Sequence, residues 1–269
     1  MTERSIDAGG RTRTYTIITP DGGFDRLLLV FHGSMQTASS HRAFTGNAFD
    51  TVKGAAVVYL NGFKGNWNDA RLRNTFPART RDIDDVAFAE AVIAREAGGR
   101  PVYAAGYSNG GGMVIRLLHE RPGLLAGATI IAAGQPVPDN LVPTGGAAAV
   151  PTPVLIVHGT RDPIVRYTGG EMATWARLVF RAGGALLSAP DTAAYFAARN
   201  GITAAPSTVD LTAELSRTDF RQDGHPPVTL YTVQGGGHTI PGPVPSPRLM
   251  GHTTCHLHTA DAIAEFFAF

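Results

Sequence analysis

Ser108 stands midway between two glycines in the run Gly106-Tyr107-Ser108-Asn109-Gly110. An apolar stretch of strand length precedes it and a helix-forming stretch follows. A serine hydroxyl is presented for attack when the chain lifts it clear of a sheet edge on a very tight strand-to-helix turn. That turn strains the serine backbone and crowds the chain two residues to either side, so both flanking positions must be small. The helix that begins there also points free N–H groups at the reaction centre. The hydroxyl needs a base, and the base needs an orienting acid. For such a turn the expected chain order is serine, acid, histidine. Asp162 follows the apolar run "PVLIVHG", and His238 follows "VTLYTVQ" on the tract Gly235-Gly236-Gly237. Each stands just past a predicted strand. Asp210 and Asp191 are rival acids, and Asp191 is better explained as a helix start. Ser108, Asp162 and His238 together predict acyl transfer through a covalent serine intermediate.

Acyl transfer also needs two N–H donors for the oxyanion. One is the backbone of Asn109. The other belongs to the loop after an early strand, where "HGSM" offers the N–H of Ser34 or Met35. His32 and His158 stand at strand ends and are read as structural. Met35, Trp67 and Tyr107 are the expected cleft walls, with Asn68, Asp69 and Arg71 beside Trp67.

These residues require a scaffold of strands and helices in alternation. Runs at 13–19, 26–33, 55–62, 101–108, 127–134, 153–160 and 228–235 have strand length. The first alternates in polarity and predicts a half-exposed edge strand. Several others are continuously apolar, as in a parallel sheet buried on both faces. Helical patterns fill 82–96, 109–123, 189–201 and 259–269. The acids Asp82, Asp84 and Asp85 are read as a helix start favoured by the macrodipole. Alternation of this kind predicts an α/β protein with a doubly wound, mostly parallel sheet and helices on both faces. The Pro/Gly/Ala-rich gap before 153 leaves no room for a large lid domain. The interval 166–227 could add a small flap beside the site.

The 269 residues, 43% hydrophobic and 17% charged, can bury a full core. A formal net charge of +1 with scattered acids and bases gives no sign of a nucleic-acid or membrane partner. Cys255 is the lone cysteine, so no intrachain disulfide can form. "HTTCHLH" (252–258) is a weak metal motif, lacking a paired Cys-x-x-Cys or a His-Glu-x-x-His, and no metal or cofactor is expected. The N-terminal residues lack the apolar stretch of a signal peptide. The default expectation is cytoplasmic, or secreted if a leader has been trimmed away.

With these residues in hand, the chain resembles the polyhydroxybutyrate depolymerase and feruloyl esterase type of α/β-hydrolase, which are carbohydrate-esterase-like enzymes. The resemblance runs through "HGSMQTA", "WNDAR", "DIDDVAF", "GYSNGGGM", "VLIVHGTRDPIVRYTGG", "SAPDTAAYFAARNG" and "GGGHTIPG". It implies a single α/β-hydrolase catalytic domain over 1–269 and a serine carboxylic-ester hydrolase acting on a small or oligomeric ester. It also implies Ser108, Asp162 and His238 as the triad, with oxyanion N–H groups from Ser34 and Asn109. Three positions depart from the family's usual pattern. Ser34 stands where Cys is frequent, Ala70 where Gly is frequent, and Ile240 where a Trp often lines the cleft. An acyltransferase or peptidase would use the same triad. A ligand-binding homologue without activity would be expected to lack one of its members.

Overall fold

The computed structural model of the chain describes residues 1–146 and 148–269. Ten strands form one sheet: β1 (Thr2–Ala8), β2 (Arg11–Ile18), β3 (Arg26–Phe31), β4 (Ala55–Leu60), β5 (Val102–Tyr107), β6 (Gly127–Ile131), β7 (Val154–Gly159), β8 (Ser207–Asp210), β9 (Leu215–Phe220) and β10 (Val228–Val233). Their order is β1-β2-β4-β3-β5-β6-β7-β10-β9-β8. The central strands β4, β3, β5, β6, β7 and β10 run parallel. The pairs β1–β2 and β2–β4 at one end and β10–β9 and β9–β8 at the other are antiparallel.

Helices cover both faces: α1 (Ala38–Phe44), α2 (Pro77–Thr80), α3 (Asp85–Glu96), α4 (Asn109–Glu120), α5 (Thr174–Phe180), α6 (Ala189–Arg199) and α7 (Thr259–Phe266). The reason is visible in β3, where successive side chains point to opposite faces. Leu27, Leu29 and Phe31 enter a core shared with α3, α4 and α6. Leu28 and Val30 enter a second core shared with α7 and with Ala38 of α1. A strand that feeds two cores must be apolar at every position, which explains the continuous hydrophobic runs of the sheet centre. Together these features make the fold an α/β-hydrolase fold.

The structure departs from the sequence expectations at the margins. β2 is not an edge strand, because β1 covers its outer side. The strands β1, β8 and β9 carry little continuous apolar signal. β8 is exposed at all four positions and closes the far edge as a hairpin with β9. α4 ends at Glu120, since Arg121 precedes Pro122 and takes an extended φ of −131°. Asp84 caps α3 by accepting the Ala87 N–H at 2.8 Å. Asp85 is no surface dipole partner. It is fully buried, accepting Arg13 Nη2 at 2.7 Å and the Asn68 N–H at 2.7 Å. No helix among the described residues is long and apolar enough to cross a membrane.

Candidate active site

Ser108 sits between β5 and α4 with φ 55° and ψ −116°, a conformation that non-glycine residues rarely adopt. Such a backbone costs about 1–3 kcal/mol and persists only where the surroundings enforce it. Here its N–H donates to Ile131 O at 2.8 Å, and its carbonyl accepts the Gly112 N–H at 3.0 Å. The glycines on either side are steric necessities. A Cβ on Gly106 would lie 2.2 Å from Gly110 O, and one on Gly110 would lie 2.1 Å from Phe31 O.

Asp162 and His238 arrive on neighbouring strands. β7 and β10 are parallel and in register, Gly159 pairing with Val233, so the loops that follow them emerge side by side. Glycines at the end of β7 and in the second loop let the two approach. A Cβ on Gly159 would meet Gly236 O at 2.3 Å, and one on Gly237 would meet Met250 O at 2.1 Å. His238 Nδ1 lies 2.7 Å from Asp162 Oδ2. The other carboxylate oxygen accepts the N–H groups of Ile164 and Val165, both at 2.8 Å. His158 Nε2 bonds Val165 O at 2.9 Å and lies 3.3 Å from Asp162 Oδ2. Burial alone would raise the Asp162 carboxyl. The adjacent His238 and the hydrogen bonds from His158 and His238 instead hold it well below the usual carboxylate range. With Asp162 ionised, His238 Nδ1–H donates to it and Nε2 is left as an acceptor. The His238 backbone is also fixed: its N–H donates to Met250 O at 2.7 Å, and its carbonyl accepts the Tyr107 hydroxyl at 2.7 Å.

Ser108 and His238 face one cavity of about 180 Å³. Phe44, Phe76, Ile164, Met172 and Phe180 give it an apolar, aromatic wall, and Ser34, Gln36, Arg71 and Tyr107 are its polar side chains besides Ser108 and His238. Met172, Phe180 and Ala182 bring the segment around α5 to the mouth, which is the flap expected between 166 and 227.

The two oxyanion candidates differ from their neighbours in one respect. The Met35 N–H donates to Gly65 O at 2.8 Å, and the Gly33 N–H donates to Gln36 Oε1 at 2.9 Å. Among the described residues no partner is recorded for the N–H of Ser34 or of Asn109. His32 props this loop. It accepts the Gly62 N–H at Nε2 (2.9 Å), so Nδ1 carries the proton and donates to Gly33 O (2.7 Å). Burial lowers its pKa to about 4, which keeps the ring neutral.

Five of the expected cleft residues, Met35, Trp67, Asn68, Asp69 and Ile240, lie outside the cavity lining. Trp67 is fully buried and lines no part of the cavity; its Nε1 donates to His32 O at 2.9 Å and its ring packs on Phe31 and His32. Met35 is 72% exposed and lies outside the lining, because its φ of 64° turns the chain back toward Gly65. Ile240 lines a second cavity, with Thr45, Phe49 and His258. Tyr107 does line the site. So does Arg71, held by the buried Asp69, whose Oδ2 accepts from its Nε (3.1 Å) and Nη2 (2.6 Å). Asp69 also accepts from Asn109 Nδ2 at 2.6 Å and from Asn74 Nδ2 at 2.6 Å, tying the polar loop to the start of α4. Phe44, Phe76, Phe180, Pro247 and Met250 carry no local signal that could have placed them in one wall. In the "HTTCHLH" segment His252 lies 3.3 Å from Glu214 and His258 lies 3.4 Å from Asp261.

The fold and the arrangement at its sheet edge define the class as an α/β-hydrolase. The chain is 32% identical to "Putative esterase NocK" of Nocardia uniformis subsp. tsuyamanensis, over 98% of this chain and 82% of that protein. It is 30% identical to feruloyl esterase B of Piromyces equi, over 79% of this chain and 39% of that protein. The chain therefore belongs to this esterase family. No family model matches it. Among solved structures, the acetyl xylan esterase of Aspergillus awamori superposes with a TM-score of 0.63 at 15% identity, covering 100% of this chain and 99% of that one. Est1E of Butyrivibrio proteoclasticus superposes with a TM-score of 0.52 at 14% identity, covering 98% and 95%. At such identities these likenesses concern the fold.

Proposed function

We propose that the protein hydrolyses carboxylic esters by way of an acyl-enzyme on Ser108. His238 Nε2 takes the Ser108 proton as Oγ attacks the ester carbonyl. The oxyanion is received by the N–H groups of Ser34 and Asn109, each contributing about 3 kcal/mol. Collapse of the tetrahedral intermediate expels the alcohol, which leaves with the proton from His238. Water then attacks the acyl-serine, gives its proton to His238, and the acid departs as Ser108 is reprotonated. Asp162 holds His238 in the tautomer these steps need.

One observation carries this reading: the Asp162–His238 pair opens on the same cavity as a serine in a strained turn. The cavity size favours a compact acyl or aryl group, since an apolar hole of about 150 Å³ is enough for benzene. Short aliphatic esters, hydroxyalkanoate units and feruloyl-type aryl esters all fit that description. The relative named feruloyl esterase B adds weight to the aryl branch.

The test is hydrolysis of p-nitrophenyl esters from acetate to decanoate, with methyl ferulate and hydroxybutyrate oligomers, by the protein and by Ser108→Ala. The expected loss of kcat in the variant is about a millionfold. Retention of most activity in a clean variant preparation refutes Ser108 as the nucleophile. The preferred acyl group identifies the branch of the family.

A further inference from the structure

Arg71 is an unusual group to find in an apolar wall. Its side chain is only 8% exposed, yet it lines the cavity that Ser108 and His238 share. Two of its nitrogens, Nε and Nη2, are committed to Asp69. The third, Nη1, has one recorded partner among the described residues, the thioether sulfur of Met172 at 3.4 Å. Sulfur of this kind is a weak acceptor. A buried charged donor held against it is under-satisfied, and a better acceptor entering the cavity would relieve that.

The surroundings decide what the acceptor is. Of the other polar groups of the wall, the Tyr107 hydroxyl is engaged by His238 O and Gln36 Oε1 by the Gly33 N–H and by His41, while the Ser34 hydroxyl and the Gln36 amide nitrogen, both uncharged, have no hydrogen-bond partner among the described residues. Asp69 is fully buried and balances the guanidinium charge in place. A carboxylate on the ligand would therefore meet a second carboxylate in a poorly hydrated site. Arg79 lies behind the pair, donates to the backbone oxygens of Asp69 and Arg71, and does not line the cavity. The vacant donor capacity thus suits an uncharged oxygen.

We infer that Arg71 is a specificity-determining residue whose Nη1–H binds a neutral carbonyl or hydroxyl oxygen on the acyl or aryl group of the ester. This rests on the ester-hydrolase reading above and adds a substrate class to it: compact esters carrying an internal uncharged oxygen. A site built around a buried donor rejects hydrocarbon analogues because they leave that donor poorly paired.

The test compares p-nitrophenyl 4-oxopentanoate and 5-oxohexanoate with their methyl-branched isosteres, 4-methylpentanoate and 5-methylhexanoate, and with the anionic hemisuccinate. At least one oxo ester is expected to exceed its isostere by about tenfold or more in kcat/KM, the usual worth of a hydrogen bond from a charged donor, with the hemisuccinate below both. Arg71→Met should bring that ratio close to one. Equal rates for oxo and branched esters with the wild-type protein overturn the inference, and so does a ratio that survives Arg71→Met. Should the unpaired Asp69 unfold that variant, Asp69→Asn combined with Arg71→Met removes both charges and reads the same ratio. Calorimetric titration of the ester pairs into Ser108→Ala measures the preference without turnover. Equal binding there sinks the role of Arg71 alone, whereas failure of the wild-type protein to turn over esters that Ser108→Ala binds selectively sinks the acyl-enzyme reading alone.

Discussion

His238 Nδ1 lies 2.7 Å from Asp162 Oδ2, and the carboxylate's other oxygen is fully spent on the N–H groups of Ile164 and Val165. This division of labour fixes which carboxylate oxygen faces the imidazole. In Asp162→Asn, the amide oxygen stays with the two backbone N–H groups, so the amide nitrogen must face His238 Nδ1. The ring then accepts at Nδ1 and carries its proton on Nε2, where it cannot take the Ser108 proton. We expect kcat to fall about ten-thousandfold, as tautomer reversal does in serine proteases, with the circular dichroism spectrum unchanged. A loss of less than tenfold would show that Asp162 does not orient the base.

Gly110→Ala forces a Cβ to within 2.1 Å of Phe31 O and 2.6 Å of His32 O, both backbone atoms of β3 and its loop. The chain there cannot yield without moving the oxyanion loop. The expected cost is about 3 kcal/mol of stability or more, read from chemical denaturation. Gly22→Ala is the control, since nothing lies within 4 Å of the added carbon, and its midpoint should not move.

Acid should unfold the protein through its interior histidines. Burial lowers His32 and His119 to about 4 and His41 to about 3. In the unfolded chain these rings titrate at about 6.5, so between about 6.5 and about 4 the unfolded state binds more protons than the folded one. Stability is then highest above about pH 6.5 and falls as pH drops through that window. Asp162, held low in the fold, acts in the same direction further down: its contribution is present above about pH 4 and is lost on deeper acidification. Denaturant unfolding near pH 5 should report uptake of about three protons from these rings. A stability flat from pH 7 to pH 4.5 would contradict this.

Tyr107→Phe removes the hydroxyl that holds the His238 carbonyl and leaves the ring in the cavity wall. The loss of that bond should destabilise the fold by about 1–3 kcal/mol. It should lower kcat several-fold with little change in KM, because the base is loosened while the wall is kept. A pure KM effect would mean that the hydroxyl meets substrate instead.

The site was legible in the sequence where its causes are local. The turn around Ser108 requires Gly106 and Gly110, and Asp162 and His238 each follow an apolar run that can be recognised as a strand. The cavity wall was not legible, because Phe44, Phe76, Met172, Phe180 and Met250 are brought together only by the sheet topology. Trp67 misled for a physical reason. Its neighbours Asn66, Asn68, Asp69 and Arg71 look like a solvated loop, but all are buried: Asp69 accepts from Arg71 and Asn109, and the Asn68 N–H donates to Asp85. A polar segment can be interior when its partners lie far away in the chain, and periodicity carries no trace of that. β8 and β9 were missed because an exposed hairpin on a sheet edge needs no apolar run.

The in-register pairing of β7 with β10 has a consequence for how the enzyme comes into being. Between those strands the chain must first lay down α5, α6 and the β8–β9 hairpin. Contacts that close so long a loop tend to form late. A nascent chain emerging from the ribosome would already present the serine and its acid on the sheet as far as β7. It would remain chemically silent until residue 238 docked. On the proposed mechanism, catalytic competence is thereby tied to completion of the sheet, and a partly made copy would hold a nucleophile that has no base.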